Sequence, residues 1–310
     1  MERSDVLSFI TIAAGFVLTQ FSLILYLPSQ HLIAQSIGLT AQDMAYALST
    51  ALCGYAAGQL WWGTLSDFFG RKKALLMAAI GGGITAFFIP HCHTAQNFDE
   101  MLAVLTFFQA AYTSIGYALI YDTFPADKTA KIIASVGVLM AITPVVAPYI
   151  SLTITERYGW TMLFYALSAY SLLLSFGILL QVKARKIPSI RPKLVKGFAN
   201  LMRNQAYLKY CFSLALTFST FILFQQNAYA IFTHVMHVHA QHYAMAYALA
   251  SSPYLLSTIA VRKLIQKMTI GAIAKTGTGL LATGYLMLAL AALFPAHLLS
   301  TFFGWLGVMI

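Results

Sequence analysis

Stretches of about twenty apolar residues recur along this chain, separated by short segments that hold nearly all of its charge. Twenty helical residues, at 1.5 Å each, cross the ~30 Å hydrocarbon core of a bilayer. Of the 310 residues, 59% are hydrophobic and 9% charged, whereas a soluble domain carries about 25% charged residues. A soluble chain of this length could not cover its surface with so few charges. The sequence therefore describes an all-α polytopic membrane protein. Its net charge of +10 does not indicate nucleic acid, because the bases punctuate the spans and form no aromatic-interleaved patch.

The apolar pattern predicts spans near residues 6–28, 42–62, 73–91, 98–121, 131–153 and 160–182, then near 207–233, 241–261, 271–293 and 297–310. The longest polar stretch, Lys183 to Arg203, holds seven bases and two prolines. It reads as a cytoplasmic connector (183–206) between a six-helix bundle (1–182) and a four-helix one (207–310). The positive-inside rule tests this layout. It places 18 of the 19 Lys and Arg residues on one side, leaving only Arg157, next to Glu156, on the other. A wrong span count would scramble that alternation, so the N-terminus is expected inside. The apolar run from Val6 to Leu27 is too long, and its flank too acidic, for a cleaved signal peptide. Cys53, Cys92 and Cys211 are odd in number and scattered, with no C-x-x-C pair, so neither a disulfide framework nor a thiolate metal site is expected.

Between the second and third spans lies a charge-dense segment, Gly63-Thr-Leu65-Ser-Asp67-Phe-Phe-Gly70-Arg71-Lys72-Lys73. Gly63 and Gly70 would permit tight turns and close helix approach, and Asp67 can pair with Arg71. The spacing G-x-L-x-D-x-x-G-R-K-K resembles the helix 2–3 loop signature of the major facilitator superfamily of transporters. Tyr26-Leu27-Pro28, Gly54-Tyr-Ala-Ala-Gly58-Gln59 and Thr143-Pro144-Val-Val-Ala147-Pro148 narrow the resemblance to drug:proton antiporters, most like the Bcr/CflA branch. Pro144 and Pro148 match the antiporter motif of helix 5, and Trp160 and Phe164 fit the start of helix 6. The resemblance implies a six-helix N-terminal bundle with an incomplete C-terminal one, since the family's twelve spans need two more helices. It also implies that Gly63, Asp67, Gly70, Arg71 and Lys72 form a conformational latch, with Asp122 at the inner end of helix 4.

The departures are specific. Ile24-Leu25 stand where that branch often has an acid. Thr106-Phe107-Phe108-Gln109-Ala110 replaces Arg-Phe-x-Gln-Gly, Tyr121-Asp122 replaces Arg-Asp, and Ser151-Leu152 replaces a glycine pair. All nine acids fall at span ends or in loops, so no intramembrane proton relay stands out. Tyr26, Gln59, Gln109, Tyr112, Tyr117, Gln225 and Asn227 are polar or amphipathic groups within spans. An amide in hydrocarbon must be partnered or face a cavity, so these are either cavity residues or interhelical hydrogen-bond partners. All eight histidines lie on the outer side. His234, His237, His239 and His242 could bind Zn²⁺, but a translocated loop simply tolerates neutral histidine better than Lys or Arg, so no metal site is expected.

The resemblance implies a secondary transporter that exports amphipathic small molecules by alternating access. A proton gradient would drive it, with no cofactor, no nucleic acid, the lipid bilayer as its surroundings and a monomer as its working unit. A truncated, non-transporting remnant or a metabolite carrier of the same fold are the competing expectations. No Ser/His/Asp cluster, paired carboxylates or H-E-x-x-H pattern lies at one membrane depth, so an enzyme is not expected.

Overall fold

A computed structural model describes residues 3–182, 200–232, 242–265 and 267–293. Among them every regular element is helical. The chain divides into two compact units, Met1–Ser189 and Ile190–Ile310.

The first unit contains α1 (Arg3–Ile24), α2 (Gln30–Ile37), α3 (Ala41–Phe69), α4 (Arg71–Phe88), α5 (Ala95–Thr123), α6 (Ala126–Tyr158) and α7 (Thr161–Gln181). The single span expected over 6–28 is broken. Pro28 has no N–H to continue the α-helical ladder, and Leu27–Ser29 form a 3₁₀ turn before α2 resumes the outward path. That turn is held by hydroxyls: Ser29 Oγ lies 2.9 Å from both Ser151 Oγ and Thr155 Oγ1 of α6. Ser151, where the resembled pattern has a glycine, is thus a polar tie to the broken first span.

Helix α3 begins behind a capping box. Thr40 and Asp43 satisfy each other's backbone N–H groups. It then packs against α5 at very short range. A Cβ on Gly54 would stand 2.1 Å from the carbonyl oxygen of Ala103, and one on Gly58 would stand 2.3 Å from that of Phe107. The two glycines are therefore a packing seam. Thr106 Oγ1 donates to Ala51 O at 2.6 Å, and Trp62 Nε1 donates to Phe107 O at 2.8 Å. Thr106 is fully buried. The position where an arginine would be expected is filled by a small residue bonded across the seam.

The expected turn at Gly63 is absent, because α3 runs on to Phe69. Gly63 is helical, with nothing near the place of a Cβ. Only Gly70 turns the chain, at φ +90°, a conformation costly for any residue with a Cβ. Helix α6 stays continuous through Pro144 and Pro148. Both prolines are buried on the face shared with Ser151.

In the second unit, α8 (Gln205–Ala230), α9 (Tyr243–Leu264) and α10 (Ile270–Leu293) match the expected spans within a few residues. Rings join α8 to α9, with Phe224 stacked on Tyr247 at 5.5 Å and Phe221 against Tyr254 at 5.3 Å. Thr220 of α8 hydrogen-bonds the Tyr285 hydroxyl of α10. The expected span at 297–310, most of the connector, and His234, His237 and His239 lie outside the described residues. Among the described residues, six helical segments are long and apolar enough, by length and composition, to cross a membrane.

Candidate functional site: a charge cluster at one end of the first bundle and polar groups within the spans

The end of α3, the turn at Gly70 and the start of α4 bring Asp67 and Arg71 one helical turn apart. Arg71 Nη1 meets Asp67 Oδ1 at 2.7 Å and donates to Ser66 Oγ at 2.5 Å. Its Nε reaches Asp122 Oδ2, on the last turn of α5, at 3.4 Å. One guanidinium thus spans two carboxylates from different helices, which its planar fork of donors suits. The arrangement also offsets two unfavourable placements. A cation at the N-terminus of α4 and an anion at the C-terminus of α5 both oppose the helix dipoles, and each neutralises the other.

Lys72 works differently. Its Nζ donates to the carbonyl oxygen of Leu179 at 2.7 Å, capping the C-terminal end of α7, where a cation is favoured. The same end is tied to α1. Ser8 Oγ donates to Gln181 O at 2.5 Å, and Thr11 Oγ1 donates to Gln181 Oε1 at 2.6 Å. Together these bonds join α1, α3, α4, α5 and α7 at one end of the first bundle. Gly63, Asp67, Gly70, Arg71, Lys72 and Asp122 therefore come together as one cluster, apart from Gly63, which stands two turns back on α3.

The polar residues within the spans separate into two groups. Half-buried Gln59 and Tyr55 of α3 meet the buried Thr113 of α5. Gln59 Nε2 donates to Thr113 Oγ1 at 2.7 Å, with the Tyr55 hydroxyl 3.2 Å from the same oxygen. Tyr117 is also half-buried, edge-on to Phe16 at 4.8 Å. Gln109, Tyr112 and Tyr26 lie instead in the bundle interior, at 0%, 2% and 2% exposure. Gln109 Nε2 reaches Ser171 Oγ of α7 at 3.5 Å, and the Tyr112 ring fills the space left by Gly15. The void beside Tyr112, lined also by Thr11, Leu75 and Ile178, measures about 10 Å³, far too small for an organic solute. In the second unit, Gln225 is buried with both amide atoms making no hydrogen bond, while Asn227 is exposed and donates to Leu223 O at 2.8 Å. His242 is exposed at the start of α9, and no group of metal-binding side chains occurs among the described residues.

One acid gains a place that sequence reasoning missed. Asp99 lies inside α5, with one carboxylate oxygen sealed from solvent and making no hydrogen bond. The signal was available in the spacing of Asp99, Leu102, Thr106 and Gln109, which follow one helix face.

The sequence pattern of the Major Facilitator Superfamily matches residues 10–310. Among curated proteins, a bicyclomycin resistance protein homolog from Haemophilus influenzae is 29% identical over 228 residues, covering 72% of this chain and 57% of that protein. The chloramphenicol resistance protein CraA of Acinetobacter baumannii is 22% identical over 275 residues, covering 88% of this chain and 67% of its own length. The chain thus spans little more than half to two thirds of these relatives. Among solved structures, the proton:xylose symporter XylE superposes with a TM-score of 0.75 at 14% identity, over 97% of this chain and 77% of that one. A bacterial homolog of the human lysosomal transporter Spinster gives 0.73 at 14% identity, over 100% and 72%. At such identities the two structures speak for the fold.

Proposed function

This chain belongs to the Major Facilitator Superfamily, and on that premise we propose that it is a secondary active transporter of the multidrug-efflux type. It exports amphipathic small molecules by alternating access, and the proton gradient drives it without another cofactor. It works as a monomer in the bacterial inner membrane, with its N-terminus in the cytoplasm. The observation that carries this reading is the assembled inner-end cluster: Arg71 held between Asp67 and Asp122 on a bundle of the transporter fold. Ion pairs at a partly exposed surface are individually weak, so such a cluster can hold one state and release it. Similarity to bicyclomycin and chloramphenicol resistance proteins supports drug export over metabolite uptake.

Substrate contact falls to the half-buried groups Gln59, Tyr55 and Tyr117, with the buried Thr113 hydroxyl holding the first two. In the second unit it falls to Gln225, whose buried amide offers two donors and an acceptor without partners, and to Asn227. Gln109 and Tyr112 serve packing between helices. Pro144 and Pro148 stiffen α6 on the face that meets the broken first span. The test is uptake of a lipophilic cation into inverted membrane vesicles under an imposed pH gradient. Accumulation that collapses with the gradient is expected; uptake no greater than in vesicles lacking the protein refutes the proposal.

A further inference from the structure

Helix α5 starts behind its Thr94 cap at Ala95, so Asp99 stands on the second turn, in register with buried Leu102, Thr106 and Gln109. Its Oδ1 is closed off from solvent and accepts no hydrogen bond. Close by, the Tyr26 hydroxyl oxygen is also buried without a partner, in a residue 2% exposed and within electrostatic range of the Asp99 carboxylate. Rings form the apolar side of this region. Phe164 stacks with Tyr26 at 6.4 Å and meets Phe98 at 6.2 Å and Trp160 at 5.9 Å.

The other charged groups acting on Asp99 are Asp43, from the first turn of α3, and Glu100, its neighbour on α5. Both are acids. Asp43 is already engaged by the Thr40 N–H at 2.7 Å, and Glu100 accepts from the Gln96 amide at 2.8 Å. No ion pair among the described residues includes Asp99. A partly buried carboxylate that faces two like charges, with no cation or donor of its own, is electrostatically uncompensated. Binding a proton removes that charge and needs no cavity.

We propose that Asp99, beside Tyr26 at the outer end of the N-terminal bundle, is the site at which the transporter takes up its coupling proton. One O–H bond forms on the carboxylate and no bond in the protein breaks; the proton comes from the outer water. The coupling role rests on the efflux reading above, whereas the protonation itself does not.

Infrared difference spectra of the full chain in liposomes, recorded as the pH is stepped, test the protonation directly. Every accessible carboxylate protonates on acidification, so the variants are compared: a carboxylic acid carbonyl component present in the native protein, Asp43→Asn and Glu100→Gln should be missing from Asp99→Asn. Asp99→Glu should restore it at a shifted midpoint, which guards against a folding defect in the asparagine variant. Acid-induced carbonyl spectra that are the same in the native protein and in Asp99→Asn overturn the assignment. In inverted vesicles, exchange of one proton per solute lets a pH difference of one unit sustain about a tenfold accumulation. In Asp99→Asn that ratio should fall to about one, while downhill entry continues; undiminished accumulation overturns the coupling role. If the native chain moves no solute, the efflux reading fails and the infrared result alone decides the proton site.

Discussion

Arg71 shows how much a single side chain can be asked to hold. Its guanidinium touches Asp67, Asp122 and Ser66 at once, and only a fork of several fixed donors can do so. A lysine has the charge and three N–H donors, but all on one compact nitrogen, so it lacks the separate Nε and Nη1 that meet Asp122 and Asp67 here. Asp67 and Asp122 are a third and more exposed, so each pair contributes no more than about 1 kcal/mol to folding. Arg71→Lys should therefore leave the thermal unfolding temperature nearly unchanged while transport in inverted vesicles drops several-fold. A variant that melts early, or that transports normally, would show that the cluster is structural or dispensable. The Asp67–Arg71 pair was legible in the sequence because both partners sit on neighbouring turns. The contribution of Asp122 was not, since its 51-residue separation from Arg71 is closed only by the packing of α4 against α5. Nor could the role of Lys72 as a cap on α7 be read from its neighbours, because the carbonyl it meets belongs to Leu179.

Among the elements, the α3–α5 seam and the end of α3 give two glycines opposite meanings. Gly54 is pressed against the backbone of α5, whereas Gly63 faces open space within a helix. Gly54→Val would force the two helices apart at backbone atoms that cannot swing away. A destabilisation of about 2 kcal/mol or more is expected, read as a lowered unfolding temperature in detergent. Gly63→Ala should instead stabilise the chain by about 0.5–1 kcal/mol, because glycine in a helix interior is the poorer residue. A stable Gly63→Ala protein that fails to transport would place the need for that glycine in another conformation; an unstable one would contradict the open surroundings described for it. The Gly54-x-x-x-Gly58 spacing stands in the sequence, and the structure supplies which helix it meets. The extension of α3 to Phe69 was not legible, because glycine in a charged segment reads as a turn, whereas here the helix simply runs on through Gly63. The break after Ile24 escaped the apolar pattern for a related reason. Hydropathy is continuous there, and the interruption comes from Pro28 and the hydroxyls of Ser29, Ser151 and Thr155.

For the whole molecule, the distribution of charge rather than any contact decides orientation. The start of α4 with Arg71, Lys72 and Lys73 and the start of α6 with Lys128 and Lys131 fall at the same end of the first bundle, and His91 and His93 fall at the other. Inverting the bundle would carry five bases across the bilayer. The K/R bias of short loops near span ends opposes that inverted insertion. Histidine, largely neutral near pH 7, meets no such barrier, which is why it can collect at the outer end. His93 and Lys128 are both exposed, and each can carry a reporter cysteine once Cys53, Cys92 and Cys211 are replaced by serine. In intact cells a membrane-impermeant maleimide should label the His93→Cys protein and spare Lys128→Cys, and in inverted vesicles the pattern should exchange. Labelling of both positions from one side would mean that the charge pattern does not fix the bundle, and reversed labelling would put the Arg71 cluster outside. Only with that cluster on the inner side does Asp99, at the opposite end of α5 from Asp122, face the water from which protons enter.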